Sequence, residues 1–374
     1  MKRIILVRST KPESDSRLTK TASFLFDLGY DLLILGWNRN GDAKNKEEIR
    51  IGNRTIKTRL FGEVCPHGQG VKNTFRLLHF MKWVKKELKK EKDNVFAIHA
   101  CDFDCGTPVR KFAKKYNVKY VYDIYDLFSL SRRMPKCLIP FINHKDKKII
   151  NNAFATIICT DERKAQISFA KPKRLFVIYN SPEIPNDLRN KNVFDSKVLK
   201  ICYVGIFSNN RLLSEICDEV SKNQNIHLYI GGFGVLEEKI SSFAKNFENI
   251  TFMGAMQYQK VLELESNCDA LFATYDPSVK AHKMSAPNKF YEAIGLNKPI
   301  IVCKDTGIDN LVTKYDVGEV CEYSGASFVK ACNNLLNKDR YNLCVKNTNE
   351  AYPHYSFEKN KETIKTIYDL IEEN

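Results

Sequence analysis

The stretch SAPNKFYEAIGLNKPII, residues 285–301, carries a lysine and a glutamate three positions apart, Lys289 and Glu292. That spacing places both side chains on one face of a helix. The flanks predict such a helix: Ser285 suits an N-cap, Pro287 the first turn, and Gly295 with Pro299 the stop. Amides at a helix N-terminus attract phosphate, and a cation beside them adds to that attraction. A glutamate one turn further in can hold ribose hydroxyls as a charged acceptor. Taken alone, the pair favours a capped surface helix with an exposed ion pair.

Other residues bear on the choice. Gly205 ends a hydrophobic run, and Arg211 closely follows it. A glycine lets a ligand approach the backbone and an arginine supplies charge, which are the ingredients of a phosphate site. Joined to Lys289, Arg211 could neutralise a diphosphate from opposite sides. Gly231, Gly232 and Gly234 close another run and either open room for a ligand or permit a tight turn. Tyr275 and Asp276 follow a further strand and fit a binder of small hydroxyls, or a turn. Asp102 and Asp104 form a DxD after a hydrophobic strand, a pattern that can hold a divalent cation. Two-residue matches are common, and the basic partners a metal-bridged phosphate needs lie in the other half. No metal is therefore expected.

The elements that must position these residues alternate strand and helix twice. In the first half the strands read RIILVR (3–8), YDLLILGW (30–37), VFAIHACDFD (95–104), KYVYDIYDLF (119–128), ATIICT (155–160) and RLFVIYN (174–180). Helices are expected near 18–28, stopped by Gly29, and over PVRKFAKKYN. Ligands of open α/β sheets gather at the carboxyl ends of strands, where His99, Asp102, Asp104, Asp123, Tyr125 and Asp126 fall. The second half repeats the alternation with strands KICYVGIF (200–207), IHLYIGGFG (226–234), NITFMG (249–254), ALFATYDP (270–277) and PIIVC (299–303). The expected organisation is a domain over 1–182, a linker over 183–198, a second domain over 199–355 and a final helix over 356–374. Ile364, Ile367, Leu370 and Ile371 line one side of that helix, which can belong to either domain. The fold class is α/β, with two doubly wound, Rossmann-like domains. No GxGxxG dinucleotide fingerprint is present.

Composition excludes several classes. The chain has 374 residues, 43% hydrophobic and 28% charged, and no apolar run of membrane-spanning length. Its start, MKRIILVRSTKPES, reads as a strand and loop rather than a secretory signal. Twelve scattered cysteines without a CxxC pair fit buried thiols in a reducing compartment, so a cytoplasmic protein is expected. Residues 1–180 carry 37 Lys and Arg against 18 Asp and Glu, a net +19, while 181–374 carry 22 against 26, a net −4. Such asymmetry points to an anionic surface met by the first half. Residues 71–92 form a basic amphipathic helix with Leu77, Met81, Val84 and Leu88 on its apolar side and Lys82, Lys85, Lys86, Lys89 and Lys90 opposite. Such a helix can lie on an anionic bilayer or pack on its own sheet. Residues 131–150 are a second candidate. Nucleic-acid binding would interleave aromatic and basic residues on a sheet face, whereas here the basic residues sit on helices, so no nucleic-acid partner is expected.

Four patches give the sequence a family resemblance: SDSRLTKTASFLFDLGYDLLIL, HACDFD with KYVYDIYDLF, YVGIFSNNRLL, and APNKFYEAIGLNKPIIV. Together they resemble the retaining family 4 glycosyltransferases of the GT-B fold, in which two Rossmann-like domains face a central cleft. The resemblance implies a nucleotide diphosphate-sugar donor held by the second domain, UDP before GDP. Glu292 would bind the ribose. Arg211, Lys289 and amides near Pro287 and Asn288 would hold the diphosphate, beside Gly205, while Met253 and Gly254 would touch the base. Tyr275 and Asp276 would lie toward the donor sugar. Arg17, His99, Cys101, Asp102, Tyr125 and Asp126 would form the acceptor side, and His99, Asp102, Arg211 and Lys289 the catalytic set. The resemblance also implies metal-independent transfer with retention and no bound cofactor. The basic first half points to a lipid-linked or glycan acceptor at the inner face of the cell membrane. Met284 stands where many relatives carry a glutamate eight positions before the ribose-binding one, so that sugar contact does not carry over. A GT-B epimerase or phosphorylase is the alternative enzyme, but the acid–base pair or pyridoxal lysine it would need is not evident.

Overall fold

Short apolar runs bounded by turns become parallel strands covered by helices on both faces, as continuous hydrophobic strands require. The computed structural model describes residues 1–41, 47–65, 72–131, 134–191, 194 and 197–373. The chain divides into two units, Met1–Ile178 with Lys361–Asn374, and Tyr179–Asn360.

The first unit runs β1 (Arg3–Val7), α1 (Ser16–Asp27), β2 (Asp31–Trp37), β3 (Glu48–Ile51), β4 (Arg54–Phe61), α2 (Lys72–Lys90), β5 (Val95–Cys101), α3 (Asp102–Tyr116), β6 (Lys119–Ile124), α4 (Phe128–Ser131), α5 (Ile139–Asn152), β7 (Ala155–Ile158) and β8 (Leu175–Val177). Its sheet has the order β3-β4-β2-β1-β5-β6-β7-β8. Ile5 of β1 pairs with Leu33 on one side and Ile98 on the other. Only the β3–β4 hairpin among these described strands is antiparallel. One face of the sheet packs Val7, Leu35 and Ile98 against Phe80, Val84 and Leu88 of α2 and Val109 of α3. The other packs Ile4, Leu6 and Ile34 against Leu18 and Leu25 of α1.

Helix α2 uses its apolar side on its own sheet, where Phe80 stacks on Trp37 at 5.1 Å. Lys82, Lys85, Lys86, Lys89 and Lys90 face outward, with Phe75 and Leu78 also exposed. Val71, at the start of the expected helix, lies outside the described residues, as do Arg132 and Arg133 of the second basic stretch. The rest of that stretch forms α5 and the turn before it, exposing Leu138 and Phe141 beside Lys145.

Asp146 is the buried acid of α5 and accepts a 2.7 Å hydrogen bond from the Tyr122 hydroxyl. Burial pushes its carboxyl up to about 7. A carboxyl raised on folding stabilises fully below the unfolded pKa of about 4 and loses that contribution as pH climbs through about 7. Asp146→Asn keeps an acceptor for Tyr122 without the titration. Denaturant unfolding should show the variant close to the parent near pH 4 and exceeding it at pH 8 by up to about 4 kcal/mol. An unchanged difference between the two pH values would rule this account out.

The second unit runs β9 (Leu199–Phe207), α6 (Leu213–Ser221), β10 (Ile226–Gly234), α7 (Glu237–Asn246), β11 (Ile250–Gly254), α8 (Tyr258–Ser266), β12 (Ala270–Ala273), α9 (Asn288–Leu296), β13 (Ile300–Cys303), α10 (Ile308–Tyr315), β14 (Gly318–Cys321), α11 (Gly325–Leu336) and α12 (Lys338–Tyr355). Helix α13 (Phe357–Glu373) follows, and from Lys361 it belongs to the first unit. There Ile364, Ile367 and Ile371 are buried against the β1–β2 side of the sheet. The second sheet is parallel with the order β11-β10-β9-β12-β13-β14, the doubly wound order that reverses direction between β9 and β12.

Residues 183–198, expected as a linker, lie partly outside the described residues, at 192–193 and 195–196. The described part is anchored to the second unit. Leu188 packs with Leu262 and Leu296, and the buried ammonium of Lys298 donates to the Lys191 carbonyl. The ends of α9 also differ from expectation. The helix starts at Asn288 with Pro287 at the N-cap position, and Ser285 turns away to donate to the Thr306 carbonyl at 2.9 Å. Gly295 lies inside the helix, where an added Cβ would come within 2.7 Å of Ile184. The stop is Asn297, in the left-handed conformation at φ 59°.

Candidate functional site

In an open parallel sheet, loops leaving adjacent strands in opposite directions part at the switch point and leave a crevice at the carboxyl edge. Three of the loops at the β9/β12 switch carry the residues singled out by sequence. Arg211 follows β9 in a single 3-10 turn, Tyr275 and Asp276 follow β12, and α9 begins before β13. The Arg211 guanidinium lies 3.7 Å from the centre of the Tyr275 ring, a stacked cation–π contact. Its backbone is fixed, because the Thr274 hydroxyl donates to the Arg211 carbonyl at 2.6 Å. Nη1 of Arg211 is buried and has no hydrogen-bond partner among the described residues. A buried donor left unmade costs about 1–3 kcal/mol, which a bound anion would recover.

Beside this arginine the backbone is bare. Gly205 pairs with Gly232 across β9 and β10, and Gly231 pairs with Gly254 at the end of β11. Met253 is exposed on that same edge. The Tyr203 hydroxyl under Gly205 donates to the Ile206 carbonyl at 3.0 Å. Burial pushes this phenol up to about 12, against the pull of the Arg211 and Lys289 charges, so both cations act on one neighbourhood.

Lys289 is not an exposed cation. Its ammonium lies 2.5 Å from Glu265 on α8 and 2.5 Å from Glu292 one turn along α9. Glu265 is 0% and Glu292 1% exposed. The second oxygen of Glu292 accepts from the Tyr258 hydroxyl at 3.1 Å. Burial, with the nearby Glu292 charge, pushes the Glu265 carboxyl up to about 8. The two flanking acids raise the Lys289 ammonium despite its burial. The expected surface ion pair is therefore a buried triad, with Tyr258 as its fourth member.

The first unit carries its own cluster at the carboxyl ends of β1, β5 and β6. Asp102 opens α3 with a left-handed φ of 67°. It does not extend β5, as the sequence had suggested. The cause is tertiary: its Oδ1 accepts from the Tyr125 amide at 2.9 Å and the Asp126 amide at 3.2 Å, while Oδ2 pairs with Arg8. Arg8 also binds Asp15 at 2.6 Å. Burial raises the Asp102 carboxyl to about 6 against the opposing pull of Arg8. Arg17 pairs with Asp123 at 2.8 Å, and both arginines lie over the Tyr125 ring. Asp126 is exposed and binds Arg163 at 3.1 Å.

His99 and Cys101 sit beneath this surface, at 1% and 0% exposure. His99 contacts the Tyr368 hydroxyl at 3.0 Å and Asp123 at 3.4 Å. The pair therefore supports Asp123 and Arg17 from below. Placing His99 and Cys101 in contact with an acceptor, as the sequence suggested, does not follow from this packing. Asp104, the other half of the DxD, is buried, and no cluster of three or more metal-ligating side chains occurs among the described residues.

Residues 199–338 match the family model described as Glycosyl transferases group 1. Solved structures of similar fold include sucrose-phosphate synthase from Thermosynechococcus elongatus, at 13% identity, 99% coverage of both chains and a TM-score of 0.75. Another is Anabaena HepE in complex with UDP, at 14% identity, with 100% of this chain and 99% of that one covered and a TM-score of 0.63. A third is WaaG, a glycosyltransferase involved in lipopolysaccharide biosynthesis, at 14% identity, 99% coverage of both and a TM-score of 0.63. This chain has the GT-B fold, and the match to group 1 glycosyl transferases lies in its second unit. No curated protein sequence matches it.

The family-model match spans the glycine edge, Arg211 and α9 together. Sequence reading missed Glu265, Tyr258, Arg8 and Asp15. For the first two a signal existed: Tyr258 and Glu265 are seven apart in one helix, hence on one face. Nothing in sequence spacing ties that face to α9. Arg8 read as the end of a strand, and only the return of β5 beside β1 brings Asp102 to it.

Proposed function

We propose that this GT-B protein moves a sugar from a nucleotide diphosphate-sugar to a lipid-linked or glycan acceptor in the synthesis of a cell-surface glycoconjugate. UDP is the expected nucleotide, and the closer kinship is to the retaining family 4 enzymes. The observation that carries the reading is the buried Nη1 of Arg211, held on Tyr275 without a partner among the described residues. Arg211 and the first amides of α9, from Pro287 to Lys289, would hold the diphosphate. They would also stabilise the charge that develops as it departs. Glu292 would take the ribose, and Met253 with Gly254 the base. Gly205 and Gly232 would admit the phosphates close to the backbone.

Lys289 would serve the diphosphate less directly than its sequence position suggested, because two carboxylates already flank it. The acceptor side belongs to the first unit, where Arg17, Asp102, Tyr125 and Asp126 crown the strand ends. Retention, independence of metal and catalysis by orientation are parts of this proposal. The name of HepE's complex, which contains UDP, supports the choice of nucleotide.

The outward lysines of α2 and the exposed Leu138 and Phe141 support a peripheral site on the inner face of an anionic membrane. No described helix is long and apolar enough to cross a membrane. Incubating the chain with a panel of nucleotide-sugars should give stabilisation and slow hydrolysis by one UDP-sugar, in EDTA as in magnesium. Sedimentation with anionic vesicles should retain the protein at low salt. Stabilisation by no nucleotide-sugar would refute the donor reading, and failure to sediment would refute the membrane reading.

A further inference from the structure

Helix α8 presents two side chains to α9, Tyr258 at its start and Glu265 two turns later. They meet the two ends of the Lys289–Glu292 pair. Glu265 takes the ammonium at 2.5 Å, and Tyr258 takes the outer oxygen of Glu292 at 3.1 Å. Only one carboxylate is needed to neutralise one ammonium. Two ionised carboxylates would leave the buried triad with a net negative charge beside the proposed diphosphate site. The other Glu265 oxygen, Oε2, is buried and has no hydrogen-bond partner among the described residues. A bare carboxylate oxygen in that position is costly, and a neutral carboxyl costs less.

We infer that Glu265 is a positioning residue for the nucleotide. As a neutral carboxyl it anchors Lys289 so that the ammonium's charge is committed to Glu292, which is thereby aimed at the ligand. This rests on the reading of Glu292 as the ribose contact. Tyr258 then occupies the place of a ribose hydroxyl until the nucleotide arrives. Ionising Glu265 would set it in competition with Glu292 for Lys289 and turn the glutamate from the ligand. The groups facing Glu265 are Lys289 and Glu292 on α9, Tyr258 on its own helix, and Cys202 on β9. Lys289 holds Glu265 down, Glu292 pushes it up, and the thiol and phenol are neutral below pH 9 because burial raises both.

The test is UDP affinity, by calorimetry on the full chain, from pH 7.0 to 8.5 for the parent, Glu265→Gln, Glu265→Ala and Glu292→Ala. Glutamine reproduces the neutral carboxyl, so it should bind within about threefold of the parent at pH 7 and show a flat profile. The parent should weaken as pH rises. Alanine leaves Lys289 unanchored and should lose about tenfold or more. If Glu265→Ala binds like the parent, or Glu265→Gln keeps the parent's pH profile, the inference is overturned while the nucleotide site stands. Parent protein that binds no UDP overturns the site reading and this inference with it. Should the alanine variant fail to fold, the glutamine profile decides.

Discussion

Arg211→Ala is expected to cost this protein about a hundredfold in UDP affinity and more in turnover. Nη1 of Arg211 is buried, and the guanidinium plane is clamped by Tyr275 at 3.7 Å. A phosphate oxygen would make charge-assisted hydrogen bonds there, each worth about 1.5–3 kcal/mol. Two such bonds correspond to about two orders of magnitude in affinity. Charge on the diphosphate grows as the sugar departs, so kcat/KM should fall by about 10²–10³. Arg211→Lys should recover only part of this, since an ammonium neither stacks flat on Tyr275 nor forks to two oxygens. Steady-state kinetics and UDP titration of both variants provide the check. Undiminished binding in the alanine variant would place the diphosphate elsewhere.

Gly232→Ala should produce the largest stability loss of any single methyl added at this edge. Gly232 has a φ of 134°, and an added Cβ would lie 1.8 Å from the Gly205 carbonyl oxygen. That atom belongs to the paired strand, so no side chain can swing away to make room. The positive φ costs about 1–3 kcal/mol for an L side chain, and forcing β9 from β10 adds a similar amount. The second unit should therefore unfold at lower denaturant by about 3–5 kcal/mol, with the first unit's transition little moved. Gly205→Ala offers a comparison, because its Cβ would meet only a side chain, the Tyr203 ring, at 2.9 Å from its hydroxyl and 3.1 Å from the carbon that bears it. Equal stability of Gly232→Ala and the parent, by denaturant titration, would contradict the geometry.

Much of the fold was legible because parallel strands advertise themselves as apolar runs. β10 was readable over Ile226–Gly234 from IHLYIGGFG. The hairpin β3–β4 was not read, although Gly52-Asn53 stands between alternating Ile49, Ile51 and Ile56, a hairpin signal of the usual kind. At Asp102 the chain turns left-handed because its side chain meets the amides just after β6, which no local propensity reveals. The same holds for Ser285, which caps nothing and binds Thr306 instead.

The candidate site was legible in part for the same reason. Arg211, Glu292 and the glycines could be picked out because their neighbours in sequence define the loops that present them. Lys289 was seen, but its surroundings were not: Glu265 lies a strand and a loop away, and only the packing of α8 on α9 joins them. In the first unit the charges of Arg8 and Arg17 were visible, while their cancellation by Asp15, Asp102 and Asp123 was not. Counting charges along the chain overstated how many of them face solvent.

The central claim is that Glu292, on the helix that also carries Lys289, binds the nucleotide. Titration of UDP into the parent and Glu292→Ala in EDTA tests it most directly, since the variant leaves Lys289 its bond to Glu265. The account predicts saturable binding by the parent and a loss of at least about tenfold in the variant. Equal affinity in the two proteins would contradict it.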